Sequence, residues 1–310
     1  MIKKTLYFGN PAYLSLTNKQ LVVRLPEVEK SKDLPDIIKQ PAVKTIPIED
    51  IGVVILDHKQ ITITQAVIAA LLDNTVALIT CNDKRMPTGL LLPLQGNNTQ
   101  NERFRKQIEA SLPLKKQLWQ QTIKAKIDNQ ATLLEQIIHR QAKTLRRLSN
   151  EVKSGDADNC EAQAAVYYWR NLFPDIPDFV RGQDEDPPNN LLNYGYAVLR
   201  AVVARALVAS GLLPVYGIFH HNKYNDFCLA DDIMEPYRPY VDDLVINIMQ
   251  QYPDYSELTR SIKAALLTIP SLDVTLDGKR SPLMIAVGQT TASLAKCFNG
   301  ELRKIAYPEL

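Results

Sequence analysis

The first part of the chain places apolar and polar side chains with the short period of β-strands. Runs rich in β-branched and aromatic residues, such as TLYFG, KTIPIEDIGVVILD and ITIT, are separated by turn signals. The run LSLTNKQLVVRL predicts a hairpin that turns at Asn18 and Lys19. The run TQAVIAALLDN predicts a helix with Thr64 as its N-cap, followed by strands in TVALITC and MPTGLLLP.

After the polar segment LQGNNTQN, apolar residues recur at spacings of three to five, the period of an amphipathic helix. The pattern begins near Phe104 and continues through TLLEQIIHRQAKTLRRLSNEV. Further helices are predicted in NCEAQAAVYYWRNLF, NNLLNYGYAVLRAVVARALVASGL, YVDDLVINIMQQY and YSELTRSIKAALLTI. We therefore predict an α+β protein with a small β-rich domain at 1–95, a linker at 96–101 and a larger all-helical domain at 102–310.

Composition places the chain among soluble globular proteins, with 45% apolar and 23% charged residues over 310 positions. The four cysteines are far apart and form no CxxC pair, which favours reduced thiols in a cytoplasmic protein. The segment MIKKTLYFGN does not resemble a signal peptide. The longest apolar run, residues 66–72, is too short to cross a bilayer, so no membrane contact is expected.

Charge is distributed unevenly, although the formal net charge is only +2. Residues 101–150 hold eleven Lys and Arg against four Asp and Glu, whereas residues 151–195 hold three against nine. A basic segment of this kind is a candidate anion-binding face, and it is also compatible with an ordinary solvated helix surface.

Candidate chemistry is densest in YGIFHHNKYNDFCLADDIMEPYRPYVDD, which contains two of the four histidines, His220 and His221. Both fall in a predicted loop, and a helix is predicted to begin near Asp231. Asp232 and Glu235 are then at i and i+3 on one helix face, with Pro236 favouring a kink or restart. An imidazole facing a carboxylate suits Mn²⁺, and also Mg²⁺ when water fills the remaining positions.

A third ligand is available in Glu161, at the head of a predicted helix whose following turns are small and apolar. Each of these residues also has an ordinary structural interpretation. Glu161 complements its helix N-terminus, His220 packs as a hydrogen-bonded histidine, and Asp232 complements the dipole of its own helix. The residues taken singly leave both interpretations open.

Three separated motifs, EAQAAVYY, NNLLNYGYAVLR and GIFHHNKYNDFCLADDIMEPYRP, occur in an order that closely resembles the Cas1 family, the integrase subunit of CRISPR spacer acquisition. The doubled histidine and LADDIMEP look most like its type II branch. The resemblance extends over essentially the whole chain, including the β-then-helical layout. Ala162 stands where the family motif usually has glycine.

The resemblance implies that Glu161, His220 and Glu235 are catalytic residues that bind Mg²⁺ or Mn²⁺. It implies that His221, Asn222 and Asp232 orient those ligands. The basic segment then becomes a candidate DNA-binding face. Its residues are Arg103, Arg105, Lys106, Lys115, Lys116, Arg140, Lys143, Arg146 and Arg147.

The implied activity is insertion of short double-stranded DNA fragments into a CRISPR array by attack of a 3′-hydroxyl on a phosphodiester in repeat DNA. The implied partners are a second copy of the chain, paired through the β-rich domain, and a Cas2 dimer, with type II accessory proteins and the effector nuclease as further candidates. Two alternatives stay open: a structure-specific repair endonuclease that uses water as nucleophile, and a non-catalytic DNA-binding scaffold.

Overall fold

A two-residue turn at Asn18 and Lys19 joins strand β2 (Ala12–Thr17) to strand β3 (Gln20–Arg24), and the two strands pair antiparallel. Both turn residues have positive φ, 50° and 59°, as the right-handed twist of a two-residue hairpin requires. The hairpin predicted from the sequence is therefore confirmed, including its turn.

The computed structural model describes residues 3–26 and 43–310, and the chain divides into two compact units, residues 1–95 and 96–310. The other strands and the α-helix among the described residues of the first unit are β1 (Lys4–Phe8), β4 (Val43–Pro47), β5 (Ile51–Leu56), β6 (Ile61–Ile63), α1 (Gln65–Asp73), β7 (Ala77–Cys81) and β8 (Pro87–Leu91). Thr64 is at the N-cap of α1, but its side chain makes no capping hydrogen bond.

The described strands of the first unit form two four-stranded sheets. One has the order β1-β5-β7-β8, with β1, β5 and β7 parallel and β8 antiparallel. The other has the order β4-β3-β2-β6, with β6 parallel to β2. Apolar side chains from both sheets and from α1 form one core, including Leu14, Ile51, Val54 and Leu71, all at most 1% exposed. Burial of these side chains is what the strand periodicity predicts.

Helices dominate the second unit. They are α2 (Gln100–Ile108), α3 (Leu112–Ile138), α4 (Lys143–Glu151), α5 (Cys160–Leu172), α6 (Asn189–Ala209), α7 (Cys228–Met234), α8 (Arg238–Gln251), α9 (Arg260–Leu266) and α10 (Leu283–Phe298). A 3₁₀ turn, Glu235–Tyr237, separates α7 from α8. The protein is thus a mixed α+β structure.

The prediction of an all-helical second domain was wrong in one element. Strands β9 (Asp273–Leu276) and β10 (Lys279–Pro282) form a hairpin in this unit. Its turn residues, Asp277 and Gly278, both have positive φ, so an Asp-Gly hairpin signal was present in the sequence.

Three helix boundaries also differ from the sequence expectation. Helix α2 begins at Gln100, inside the segment 96–101 assigned to a linker. The long basic helical pattern is interrupted at His139, whose left-handed backbone ends α3 before α4 begins. Helix α7 begins at Cys228, three residues before Asp231. The apolar period does not predict where a helix ends. It depends on which face of the helix is buried, whereas the end of the helix depends on the backbone conformation of the terminal residue.

Helix α6 is long and apolar enough to cross a membrane by length and composition alone, yet 78% of its apolar window is buried inside the protein. A core helix of a globular unit has this pattern of burial. The four cysteines are free, and three of them, Cys160, Cys228 and Cys297, are buried.

Candidate active site

The loop before α7 is held by one fully buried carboxylate, that of Asp232. Oδ2 accepts hydrogen bonds from the backbone N–H groups of Ile218 (2.6 Å) and Phe219 (3.0 Å), and Oδ1 contacts His220 Nδ1 at 2.5 Å. A side chain at Gly217 would meet the His220 carbonyl at 2.4 Å, so this position must be glycine for the loop to close. Because Nδ1 faces Asp232, the Nε2 atom of His220 is the nitrogen left for a ligand.

Glu161 lies in the first turn of α5, but it does not cap that helix. Asp156 takes this function, since its carboxylate accepts hydrogen bonds from the N–H groups of Cys160 (2.9 Å) and Glu161 (3.0 Å). The side chain of Glu161 is directed instead to Lys126 on α3, with Oε1 2.7 Å from Nζ. Glu161 is in the first turn of α5, where its charge complements the helix N-terminus, and it also contacts Lys126.

Lys126 forms ion pairs with two of the three predicted metal ligands, Glu161 and Glu235. Its ammonium group lies 2.7 Å from Glu161 Oε1 and 2.7 Å from Glu235 Oε2, so the two carboxylate oxygens lie within twice that distance of each other. Lys126 is buried, 9% exposed, and belongs to the inner face of α3. Glu235 is buried as well, and its other oxygen pairs with Arg238 at 3.0 Å.

Charged partners shift the pKa values of Glu235, Lys126 and His220 towards the ionised forms. Burial alone would raise the pKa of Glu235, but Arg238 and Lys126 outweigh it and the pKa is lowered. Burial would lower the pKa of Lys126, yet Glu235 and Glu161 raise it. The contact with Asp232 raises the pKa of His220 against the effect of burial, and Glu235 and Glu161 act in the same direction. His220 therefore lies in a negative field that favours a cation.

The donor set fits a divalent cation. Glu235 Oε2 is buried and accepts no hydrogen bond, although Lys126 Nζ lies close to it, because the approach lacks hydrogen-bond geometry. Two carboxylates and one imidazole nitrogen are ligands that Mg²⁺ and Mn²⁺ accept. Within residues 3–26 and 43–310, no three His, Cys, Asp or Glu side chains are already arranged as a metal cage. The Lys126 ammonium lies between Glu161 and Glu235, where a cation would be attracted.

His221 and Asn222 are less closely connected to this cluster than the sequence suggested. His221 is exposed, and its ring has no hydrogen-bond or ion-pair partner among the described residues. Asn222 Oδ1 accepts a hydrogen bond from the N–H of Tyr224 at 3.0 Å, which stabilises the next turn of the loop. A role for either residue in orienting His220 stays a prediction, whereas Asp232 has the contact through which it would act.

Comparison with known proteins supports the family to which the three sequence motifs pointed. The family model of the CRISPR associated protein Cas1 matches residues 6–254. A CRISPR-associated endonuclease Cas1 of Neisseria meningitidis is 35% identical over 312 residues, which cover 100% of this chain and 97% of that protein. The chain belongs to the Cas1 family. This membership confirms the resemblance drawn from the three motifs.

Several solved structures share the fold of this chain. A casposase bound to integration product matches with a TM-score of 0.78 at 21% identity, covering 97% of this chain and 92% of that one. A Cas6-RT-Cas1–Cas2 complex matches with a TM-score of 0.74 at 20% identity, covering 100% of this chain and 36% of that one. At these identities the likeness establishes the fold.

The basic residues of this Cas1-family chain fall into two groups. Arg103 and Arg146 are engaged within the protein: Arg103 donates to the Ser210 carbonyl at 2.6 Å, and Arg146 pairs with Glu135 at 2.6 Å. Arg147 is exposed but pairs with Glu151 at 2.6 Å. Exposed members that have no hydrogen-bond or ion-pair partner among the described residues include Arg105, Lys106, Arg140 and Lys143.

Lys126 is one residue that the sequence analysis missed in this Cas1-family site. Thr122, Lys126 and Asn129 are spaced i, i+4, i+7 on α3, on the same buried face as apolar Leu118. Polar residues at positions where the helical period demands apolar ones were the available signal. Asn129 also contributes, donating to the Pro236 carbonyl at 2.8 Å and so fixing the 3₁₀ turn that contains Glu235.

Proposed function

We propose that the protein is a metal-dependent DNA integrase that inserts short double-stranded fragments into CRISPR repeat DNA. The observation that carries the proposal is the arrangement around Lys126, whose ammonium group contacts both Glu161 and Glu235. Both carboxylates also raise the pKa of His220. Glu161 belongs to α5, Glu235 to the 3₁₀ turn after α7, and His220 to the loop before α7. Membership of the Cas1 family supports the same assignment.

Glu161, Glu235 and Nε2 of His220 would hold the ion, Mg²⁺ or Mn²⁺. When bound, the ion supplies a Lewis acid that polarises the scissile phosphate and lowers the pKa of the attacking 3′-hydroxyl. Asp232 holds the imidazole through Nδ1, and Arg238 holds the Glu235 carboxylate from the opposite oxygen. Lys126 offsets the repulsion between Glu161 and Glu235 before the ion arrives.

The reaction is a transesterification. The 3′-hydroxyl of the fragment forms one phosphorus–oxygen bond while the target strand loses another, and the hydroxyl proton passes to the departing 3′-oxygen. The number of phosphodiester bonds is unchanged, so no nucleotide cofactor is consumed. Buried fixed charges suit this chemistry because negative charge accumulates on the phosphate oxygens in the transition state.

The proposal includes partners. Complexes that contain Cas1 and Cas2 share this fold, which supports a Cas2 dimer as the partner. Pairing of two copies through the β-rich unit, and assistance by type II accessory proteins and the effector nuclease in a prokaryotic cytoplasm, belong to the same proposal. The exposed group Arg105, Lys106, Arg140 and Lys143 is the proposed DNA-backbone contact.

The test uses a duplex fragment with free 3′-hydroxyls, a supercoiled plasmid carrying a CRISPR repeat, the Cas2 partner, and Mg²⁺ or Mn²⁺. We expect products in which the fragment is covalently joined to the repeat boundary, and loss of these products in Glu161→Gln. The matched control is Glu257→Gln, the same exchange at an exposed glutamate outside the site. Cleavage without joining would instead favour the repair endonuclease, and failure to bind metal would favour the DNA-binding scaffold.

A further inference from the structure

Three exposed aromatic side chains lie in the loop that carries His220. They are Tyr216, Phe219 and Tyr224, which are 37%, 45% and 81% exposed, and Lys115 and Lys223 lie over two of these rings. We call these five residues the aromatic platform. Isolated exposed apolar side chains are ordinary, but several aromatic rings grouped with cations next to a reactive centre are not.

Phe219 is the ring of the platform that directly precedes His220 in the chain. One face is stacked on Trp119 of α3, with centroids 4.3 Å apart and planes 4° from parallel. Trp119 is 1% exposed, so it forms a fixed base beneath Phe219. With one face covered and 45% of the residue still accessible, Phe219 has an open side on which a further flat ring can stack in parallel.

The position of Phe219 relative to the site is fixed by Asp232. The same carboxylate that contacts His220 Nδ1 also accepts the N–H of Phe219 at 3.0 Å. The Phe219 and His220 rings are 5.5 Å apart and inclined at 84°. A ring stacked on Phe219 would therefore lie close to the His220 imidazole.

Charge on the platform is complementary to a nucleic acid. The Lys115 ammonium lies 4.8 Å from the centre of the Tyr216 ring, and that of Lys223 lies 4.8 Å from the Tyr224 ring. Aromatic rings interleaved with cations are how proteins hold single-stranded DNA, because bases stack on the rings while ammonium groups contact phosphates. A purely apolar protein partner would make no use of these cations.

We propose that Phe219 stacks against the base of the 3′-terminal nucleotide of the incoming strand and so positions its 3′-hydroxyl at the active site. The inference rests on the proposed integrase function. It makes Phe219 a positioning residue, and it requires the last nucleotide to be unpaired when it reaches the site. Stacking is tolerant of base identity, so the platform selects an open 3′ end over a closed duplex without selecting a sequence.

The experiment uses fragments with single-stranded 3′ ends that carry 2-aminopurine either at the terminal position or several nucleotides inward. Binding is measured with Mg²⁺ and without target DNA, so that no joining occurs. We expect binding to quench the terminal probe much more than the inner one. Phe219→Leu should abolish the terminal quenching and weaken binding of this end by about 5- to 100-fold, while Phe219→Trp restores both. Affinity for a blunt duplex should be unchanged in Phe219→Leu.

The outcomes separate the inference from the function on which it rests. Efficient strand joining by the parent protein without terminal quenching would overturn the stacking role and leave the integrase intact. Terminal quenching without any joining would support stacking and count against the integrase. Equal weakening of blunt and single-stranded ends by Phe219→Leu, with no rescue by Phe219→Trp, would reduce Phe219 to a packing residue. Thermal unfolding of both variants shows whether each is folded.

Discussion

Two buried acids of the helical unit, Glu235 and Asp242, differ in what contacts them. Glu235 lies against the cations Lys126 and Arg238, and its pKa is lowered although burial opposes this. Asp242 accepts hydrogen bonds from the hydroxyls of Tyr168 (2.8 Å) and Tyr196 (2.5 Å), and burial raises its pKa to about 6.

Both carboxylates are almost inaccessible, so burial alone does not decide their charge. Adjacent cations hold Glu235 as an anion that can accept a metal ion. At Asp242, the tyrosine hydroxyls and more distant arginines also lower the pKa. They offset less of the effect of burial than the adjacent cations do at Glu235, so the pKa of Asp242 stays raised. We interpret the first as a functional carboxylate and the second as a structural one.

The largest effect should come from removing a proposed ligand. Glu235→Gln and His220→Ala should each lower strand joining by more than about 100-fold, the upper range for groups that only orient a ligand. Isothermal titration with Mn²⁺ should show weakened metal binding in both. In Asp242→Asn, strand joining should fall by less than about 10-fold, because we assign that carboxylate no role as a metal ligand. A comparable loss in Asp242→Asn would contradict this assignment.

Asp232 should give an intermediate effect, because it acts through His220. Asp232→Asn is expected to reduce joining and Mn²⁺ affinity by about 10- to 100-fold. His221→Ala is the control in the same loop: the ring is exposed and has no partner among the described residues, so we expect a change of less than about 3-fold. The reverse ranking of these two variants would transfer the orienting role to His221.

Basic residues that pair with an acid and basic residues that have no partner among the described residues should also behave differently when their charge is reversed. Reversing the charge of Arg105 or Lys106 should make the slope of log affinity for DNA against log salt shallower by about one for each phosphate that the protein no longer neutralises. Reversing Arg146 should mainly lower the thermal stability, since it breaks the pair with Glu135. Unchanged slopes after reversing Arg105, Lys106, Arg140 and Lys143 together would place the DNA-binding surface elsewhere.

The raised pKa of Asp242 should make the free energy of unfolding depend on pH. Its pKa is 3.8 as a free group and about 6 in the folded protein, so the folded state binds the proton more tightly. The resulting stabilisation is fully present below pH 3.8 and is lost as pH rises through about 6, a change on the order of 3 kcal/mol. Urea unfolding at pH 4 and pH 7 should show the parent losing stability relative to Asp242→Asn. A difference independent of pH would mean that folding does not raise the pKa of Asp242.

Local patterns predicted much of the fold. The turn at Asn18 and Lys19, helix α1 and strands β7 and β8 followed from residue types over a few positions, because hairpins and amphipathic helices are specified locally. The signal at Asp277 and Gly278 was equally local and was overlooked. The break at His139 had no comparable signal, since nothing in the apolar period marks a left-handed residue there.

The sequence by itself determined the family and the identity of the proposed ligands, because Glu161, His220 and Glu235 stand in motifs whose residue types and order can be read directly. Only the tertiary structure decided the partners of those ligands. Lys126 is 35 residues from Glu161 and still farther from Glu235, and it meets both because α3 packs against α5 and against the 3₁₀ turn. Helical periodicity reports neighbours three or four residues apart, whereas contacts between helices depend on how their faces pack.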